Sequence, residues 1–427
     1  MKNLLYITIL FAFFIFSCED EKASSDNLLI DATFKNNWTN SIYKTFLLIQ
    51  NLNGEVIADT SFTGNANLRL VVEDGETVPD RVIITTVTKA SDGYINVISN
   101  AGIRSGVRWV WDGLESENSL MFTSNISFSN MNDYERGVLS ANGQYLRLDE
   151  FEGNYTFQHY GEENSTEDIL FMAYKNDGTG YYQILSEASI INNSFTIDGN
   201  NLNLAEYKLI SNNTGEVADN VMLYAYENQE SFASKNRHRL GYYGWRQEDF
   251  DNNENFHSYY PPEYLNFVTN LSSGDWYARG QKQWFQKTHG EIPNSLEKIN
   301  VDFQLVDSSA TNFKINSTGI YDNIAFNFDS PLAEYGLSNY SWTIYLNPDY
   351  QDTVTFLPNL SAEVVEFHPE FSSSQSSEIS LYLDKVSIYD YWCADNNDDW
   401  TDILFSDGYY GDICSGYWRV EYYVPLP

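Results

Sequence analysis

The chain has 427 residues, 60 of them acidic against 24 lysines and arginines, for a formal net charge of −36. Such an excess of negative charge excludes nucleic acid and anionic membrane surfaces as electrostatic partners, and no block of Lys and Arg offsets it. Aromatic rings make up 16% of the residues, a share that favours strands and points to β structure before any motif is read.

The first predicted element is an export signal. Lys2 precedes an apolar run from Leu4 to Phe16, and Ser17-Cys18 follows. That run is shorter than the roughly 20 residues a membrane-spanning helix needs, and its layout is that of a secretory signal. A buried core helix is the bland alternative, but an N-terminal segment with no polar face suits it poorly. Residues 1–17 are therefore read as a signal peptide. Its removal takes Lys2 and no acid, so −36 becomes −37.

Ile15-Phe16-Ser17-Cys18 resembles a bacterial lipobox, with an aliphatic residue three before the cysteine. The resemblance implies acyl chains on Cys18 and the membrane as a partner through that anchor, each buried CH₂ contributing about 0.8 kcal/mol. Glu19-Asp20-Glu21 is similar to the acidic export tag of surface lipoproteins from Bacteroidetes-type bacteria. It implies an outer-membrane, cell-surface location; an inward-facing outer-membrane lipoprotein is the alternative. Residues 18–27 also fit a solvated tether.

Beyond the tether, period-2 alternation recurs. Leu68, Leu70 and Val72 alternate with Asn67 and Arg69; Val301, Phe303 and Leu305 with Asp302 and Gln304. Ile324, Phe326 and Phe328 alternate with Ala325 and Asn327, and Ile379, Leu381 and Leu383 with Ser380 and Tyr382. Trp418, Val420, Tyr422 and Val424 alternate with Arg419 and Glu421. Each is a half-buried strand signal. Turn pairs such as Asn53-Gly54, Asp177-Gly178 and Asp198-Gly199 separate the runs and suit tight hairpins. The best helix candidate is a short stretch around Asn130 to Leu139. The chain thus reads as all-β, with two or three tandem antiparallel sandwich-like domains. The units are 28–128, a middle meander over 129–228, and 239–427, with a polar linker from Glu227 to His238.

The two cysteines left after Cys18 are Cys393 and Cys414. An even remainder in an oxidising compartment suggests one disulfide, worth about 3 kcal/mol for a loop of about 20 residues; two free thiols are the alternative. No C-x-x-C pair is present. Asp395, Asn397 and Asp399 match the first ligand spacings of a calcium loop, but Trp400 stands where Gly is needed and Ser406 where the bidentate Glu belongs. Ca²⁺ is the one cofactor considered, and a solvated acidic loop competes with it. The five histidines are scattered and no nucleophile or phosphate-binding motif appears. Of these, His257 lies among acids and rings and is the one to watch.

Four segments mix rings with amides and charges: Arg239–Phe250, Ser258–Phe267, Asp275–Phe285 and Asp407–Tyr423. Flat apolar faces beside directional hydrogen-bonding groups suit a sugar ring, although alternating aromatics in strands are more often core. Trp245, Trp276 and Trp284, with Tyr243, are the predicted ligand-binding residues. The leading reading is a lipid-anchored envelope protein that binds a glycan or another extracellular polymer. A structural or adhesin role with a protein partner is the alternative. A glycoside hydrolase is a third reading and requires two carboxylates about 5–10 Å apart.

Overall fold

The computed structural model of the protein describes residues 27–35, 44–73, 75–89, 93–112, 120–141, 144–160, 168–185, 194–226, 238–240, 250–251, 255–274, 279–330, 340–368, 371, 381–393 and 414–425. Within these residues the protein is nearly all β, built from several sheets. No described helix is long and apolar enough to cross a membrane.

Among the described residues the largest sheet has twelve strands. At one end lie Val56–Phe62, Thr45–Gln50, Arg81–Lys89 and Ile95–Arg104. In the middle come Tyr340–Leu346, Asn323–Asp329 and Tyr382–Cys393. The other end holds Cys414–Tyr423, Lys282–Gly290, Asn266–Ser273, Ala218–Tyr226 and His238–Arg239. Most pairs are antiparallel, but Tyr340–Leu346 runs parallel to Ile95–Arg104, with Tyr340 opposite Ile95 and Leu346 opposite Ala101.

That parallel pair redraws the tandem arrangement. Strands from the first and last expected units share one sheet, so 28–128 and 239–427 are not independent sandwiches. The boundary at 128 also moves. Leu120–Ser129 pairs with Asn154–Tyr160 and Ser194–Asp198, inside the middle sandwich. Ala218–Tyr226, expected to close the middle unit at 228, pairs instead with Asn266–Ser273. Strand pairing of this range cannot be read from local alternation, because the period of two fixes a strand's faces and not its neighbour.

Apolar layers hold the sheets together. One cluster joins Leu47, Ile49 and Ile84 of the large sheet to Ile30, Phe34 and Trp109 of a three-stranded sheet. On the opposite face Phe46, Phe326, Phe328, Val386 and Val420 meet Val301, Phe313 and Ile315 of a hairpin, and Val354 and Val364 beyond it. The middle sandwich closes over Leu139, Phe171, Phe157 and Ile197. Its five-stranded sheet buries Val138, Leu170 and Met172 against Ile210, Phe256, Leu223 and Phe267.

Local expectations fare unevenly. Ala66–Val71 and Val301–Asp307 alternate in burial as predicted. Gly54 and Gly178 take positive φ in their turns. Asp198-Gly199 does not make a hairpin: Asp198 caps a 3-10 turn, its carboxylate accepting from Asn200 N at 3.0 Å. Gly199 is required for close approach, since a Cβ there would lie 2.2 Å from the Asn130 carbonyl oxygen. The expected helix at 130–139 is a turn followed by strand Tyr134–Ala141. The sequence reading missed the helix Ala362–Phe367, a single short turn seated on the core through Val364.

Candidate functional site

The five strands from Ala218–Tyr226 to Tyr382–Cys393 present a second face, opposite the one that carries Trp284, Val420 and Ile388 into the core. Strand register sets two rows across this face. Met222, Asn270, Lys287, Tyr417 and Tyr391 stand in line. Asn220, Ser272, Phe285, Arg419 and Tyr389 form the next. Among the described residues, none of Tyr389, Tyr391, Tyr417 and Phe285 belongs to an apolar core cluster.

The rows are knit by ring and charge contacts. The Arg419 guanidinium lies 4.2 Å from the Phe285 ring centroid and 5.8 Å from that of Tyr389. Tyr417 meets Tyr389 and Tyr391 edge-on at 6.0 and 5.8 Å. The Lys287 ammonium is 6.0 Å from the Tyr417 ring. Contacts of this kind contribute about 0.5–1.5 kcal/mol each. In the next row of the same face Glu421 is 1% exposed. It accepts from Lys385 Nζ at 2.8 Å and Ser387 Oγ at 3.3 Å, and lies 3.3 Å from Arg419 Nε. Burial pushes the Tyr389 and Tyr417 hydroxyls up, outweighing the neighbouring Arg419 charge, so both remain protonated at neutral pH.

A groove of about 270 Å³ opens on this face. Phe285 and Tyr417 supply rings; Asn220, Asn270, Ser272 and Gln286 supply amides and a hydroxyl; Lys287 and Arg419 supply charge. Two of its polar atoms are buried without a hydrogen bond: the acceptor Asn220 Oδ1 and the donor Arg419 Nε. Leaving such atoms unmet costs about 1–3 kcal/mol each, although Arg419 Nε still has the Glu421 charge 3.3 Å away.

The predicted site residues separate. Trp284 is a correction: it is 3% exposed, packed with Val301 and Ile299, with the Lys298 ammonium 4.7 Å from its ring. It sits mid-strand opposite Val420. Strand alternation turns its indole inward. Trp245, Trp276 and Tyr243 lie outside the described residues, as do Asp395, Asn397, Asp399 and Cys18. Among the described residues no group of three His, Cys, Asp or Glu is placed to hold a metal. Strand register sets Cys393 opposite Cys414. The useful signal was the far end of two ring-and-amide segments: Phe285 closes Asp275–Phe285, and Tyr417 and Arg419 fall in Asp407–Tyr423.

Other chemistry-bearing residues lie apart. His257 Nδ1 is 2.8 Å from the Tyr207 hydroxyl on the four-stranded sheet, where Tyr207 is 47% exposed. His159 is buried against Ser124 Oγ at 2.8 Å, and burial pushes it down to about 4, so it is a neutral core histidine. Asp390, pushed up to about 6 by burial and then by Asp322, hydrogen-bonds to that carboxyl. The two are far closer than the carboxylate pair of a glycosidase.

No protein-family model matches the chain, and no curated protein does. Two solved structures are similar only faintly. Dimeric latent PorU from Porphyromonas gingivalis is 11% identical over 60% of this chain and 30% of its own, with a TM-score of 0.12. SGBP-B of the Bacteroides ovatus mixed-linkage glucan utilization locus, solved with a mixed-linkage heptasaccharide, is 10% identical over 87% and 98%, with a TM-score of 0.14. The chain thus spans about a third of the length of the first. At such scores neither likeness carries an argument about fold or ligand.

Proposed function

We propose that this protein is a lipid-anchored envelope protein that binds a glycan in the groove between Phe285 and Tyr417. The observation that carries the reading is the groove's composition: the Tyr417 ring beside Asn220, Asn270 and Gln286. A pyranose offers an apolar C–H face to Tyr417 and hydroxyls to the amides that line the groove. In this reading Cys18 carries the lipid and residues 19–27 hold the β domains off the membrane. Cys393 and Cys414 are oxidised, stapling the two strands that carry Tyr389, Tyr391, Tyr417 and Arg419.

Native gels containing a panel of polysaccharides test the reading, with the same mixtures assayed for released sugars. Retardation without release is expected, and Tyr417→Ala and Asn220→Ala weaken it. No retardation by any polysaccharide overturns the reading in favour of a protein partner. Released sugar overturns it in favour of a hydrolase and directs the search to the carboxylates.

A further inference from the structure

The charge on the groove's face runs against the charge of the molecule. The chain carries 60 acids and 24 Lys and Arg. On this face the described groups are Lys287, Lys385 and Arg419 against Glu421 and Asp219, a balance of three to two. Both acids are engaged. Glu421 is enclosed by Lys385, Ser387 and Arg419. Asp219 accepts from Ser272 Oγ at 2.9 Å. The groove itself is lined by two cations, Lys287 and Arg419, and no carboxylate.

Arg419 is the more informative of the two. Its plane is fixed by Phe285 at 4.2 Å and Tyr389 at 5.8 Å. Nε approaches Glu421 at 3.3 Å as an ion pair, yet that N–H is buried and makes no hydrogen bond. The guanidinium also bonds Tyr389, and it shares the single Glu421 carboxylate with Lys385, so two cations here face one acid. A flat guanidinium in that position suits a planar or multi-oxygen anion, which satisfies N–H donors in pairs. A neutral sugar could stack on Tyr417 but would add no negative charge to a face where Lys385 and Arg419 share one carboxylate.

From this charge pattern we infer that the ligand is an anionic glycan, with a carboxylate or sulfate at Arg419 and Lys287 and a sugar ring on Tyr417. The inference rests on the glycan reading and narrows it. The acidic remainder of the protein repels such a polymer everywhere else, so binding is confined to this face and is sensitive to salt.

The test uses purified protein and polymers that differ in charge alone: polygalacturonate beside its fully methyl-esterified form. Alginate, hyaluronan, chondroitin sulfate and neutral glucans complete the set. At least one acidic polymer should bind, its neutralised form about tenfold more weakly, with affinity falling as salt rises from about 50 to about 500 mM. Lys287→Gln should weaken acidic binding severalfold and leave the melting temperature in place. Arg419→Lys should do so more strongly, and if it fails to fold, Lys287→Gln and the salt series decide. Neutral glycans binding as well as acidic ones, or alone, would overturn the anionic inference and leave the glycan reading standing. Binding of no glycan overturns both.

Discussion

The two ends of the twelve-stranded sheet follow the same backbone rules and carry opposite chemistry. At the Thr45–Gln50 and Arg81–Lys89 end, apolar clusters cover both faces, and Thr45–Gln50 is buried at every position. At the Lys282–Gly290 and Cys414–Tyr423 end, one face enters the core through Trp284 and Val420. The other carries Phe285, Tyr417, Arg419 and Lys287 around a groove. The difference teaches that rings alone do not mark a binding face in this chain. Trp284 and Phe285 are adjacent in sequence and both buried, yet one packs into the core and the other lies under Arg419 at the groove.

Substitutions can break or sharpen that contrast. Leu47→Ala, at the doubly covered end, should lose about 4 kcal/mol of stability in denaturant unfolding, because a fully buried leucine leaves a cavity. Glycan affinity measured below the unfolding transition should not change. At the open end the largest effect belongs to the Cys393–Cys414 pair. Facing residues in an antiparallel ladder suit disulfide geometry. Thiol titration of the denatured protein should find neither cysteine free, and reduction or Cys393→Ser should cost about 3 kcal/mol. Two titratable thiols would remove the staple.

Smaller effects probe the open face itself. Tyr417→Ala should lower stability by less than about 1 kcal/mol, since the ring is only partly buried, while weakening glycan binding about tenfold. A large loss of stability with unchanged binding would make Tyr417 a core residue. The smallest effect is at Asp390, whose carboxyl is pushed up to about 6 beside Asp322. Its ionisation costs stability as pH rises from about 4 through about 6. Asp390→Asn should therefore match wild type at pH 4 and exceed it above pH 6 by about 1 kcal/mol, a figure discounted for partial exposure. Thermal melts across that range would show it. A difference that persists below pH 4 would exclude titration as the cause.

Much of the local structure was legible. The alternation of Leu68, Leu70 and Val72, and of Val301 and Phe303, needs only the two-residue period of a strand. The Trp418–Val424 run was also read correctly, with Val420 and Val424 inward. Its other side was not legible. Glu421 reads as a solvent-facing acid but is buried, because Lys385 and Ser387 come from a strand about thirty residues earlier. The site was half legible for the same reason. The segments ending in Phe285 and containing Tyr417 stood out by composition, whereas Asn220, Asn270 and Met222 carried no signal until register placed them in the same rows.

By itself, then, the sequence determined the all-β class, the faces of individual strands and the charge of the whole. These depend on neighbours one or two residues apart, where pleat geometry and turn chemistry act directly. Tertiary structure decided the rest: that residues 95–104 lie beside 340–346, that Trp284 is core, and that Arg419, Phe285 and Asn220 share one groove. Those outcomes depend on which strand pairs with which, and pairing is set by the joint burial of many faces rather than by any one of them.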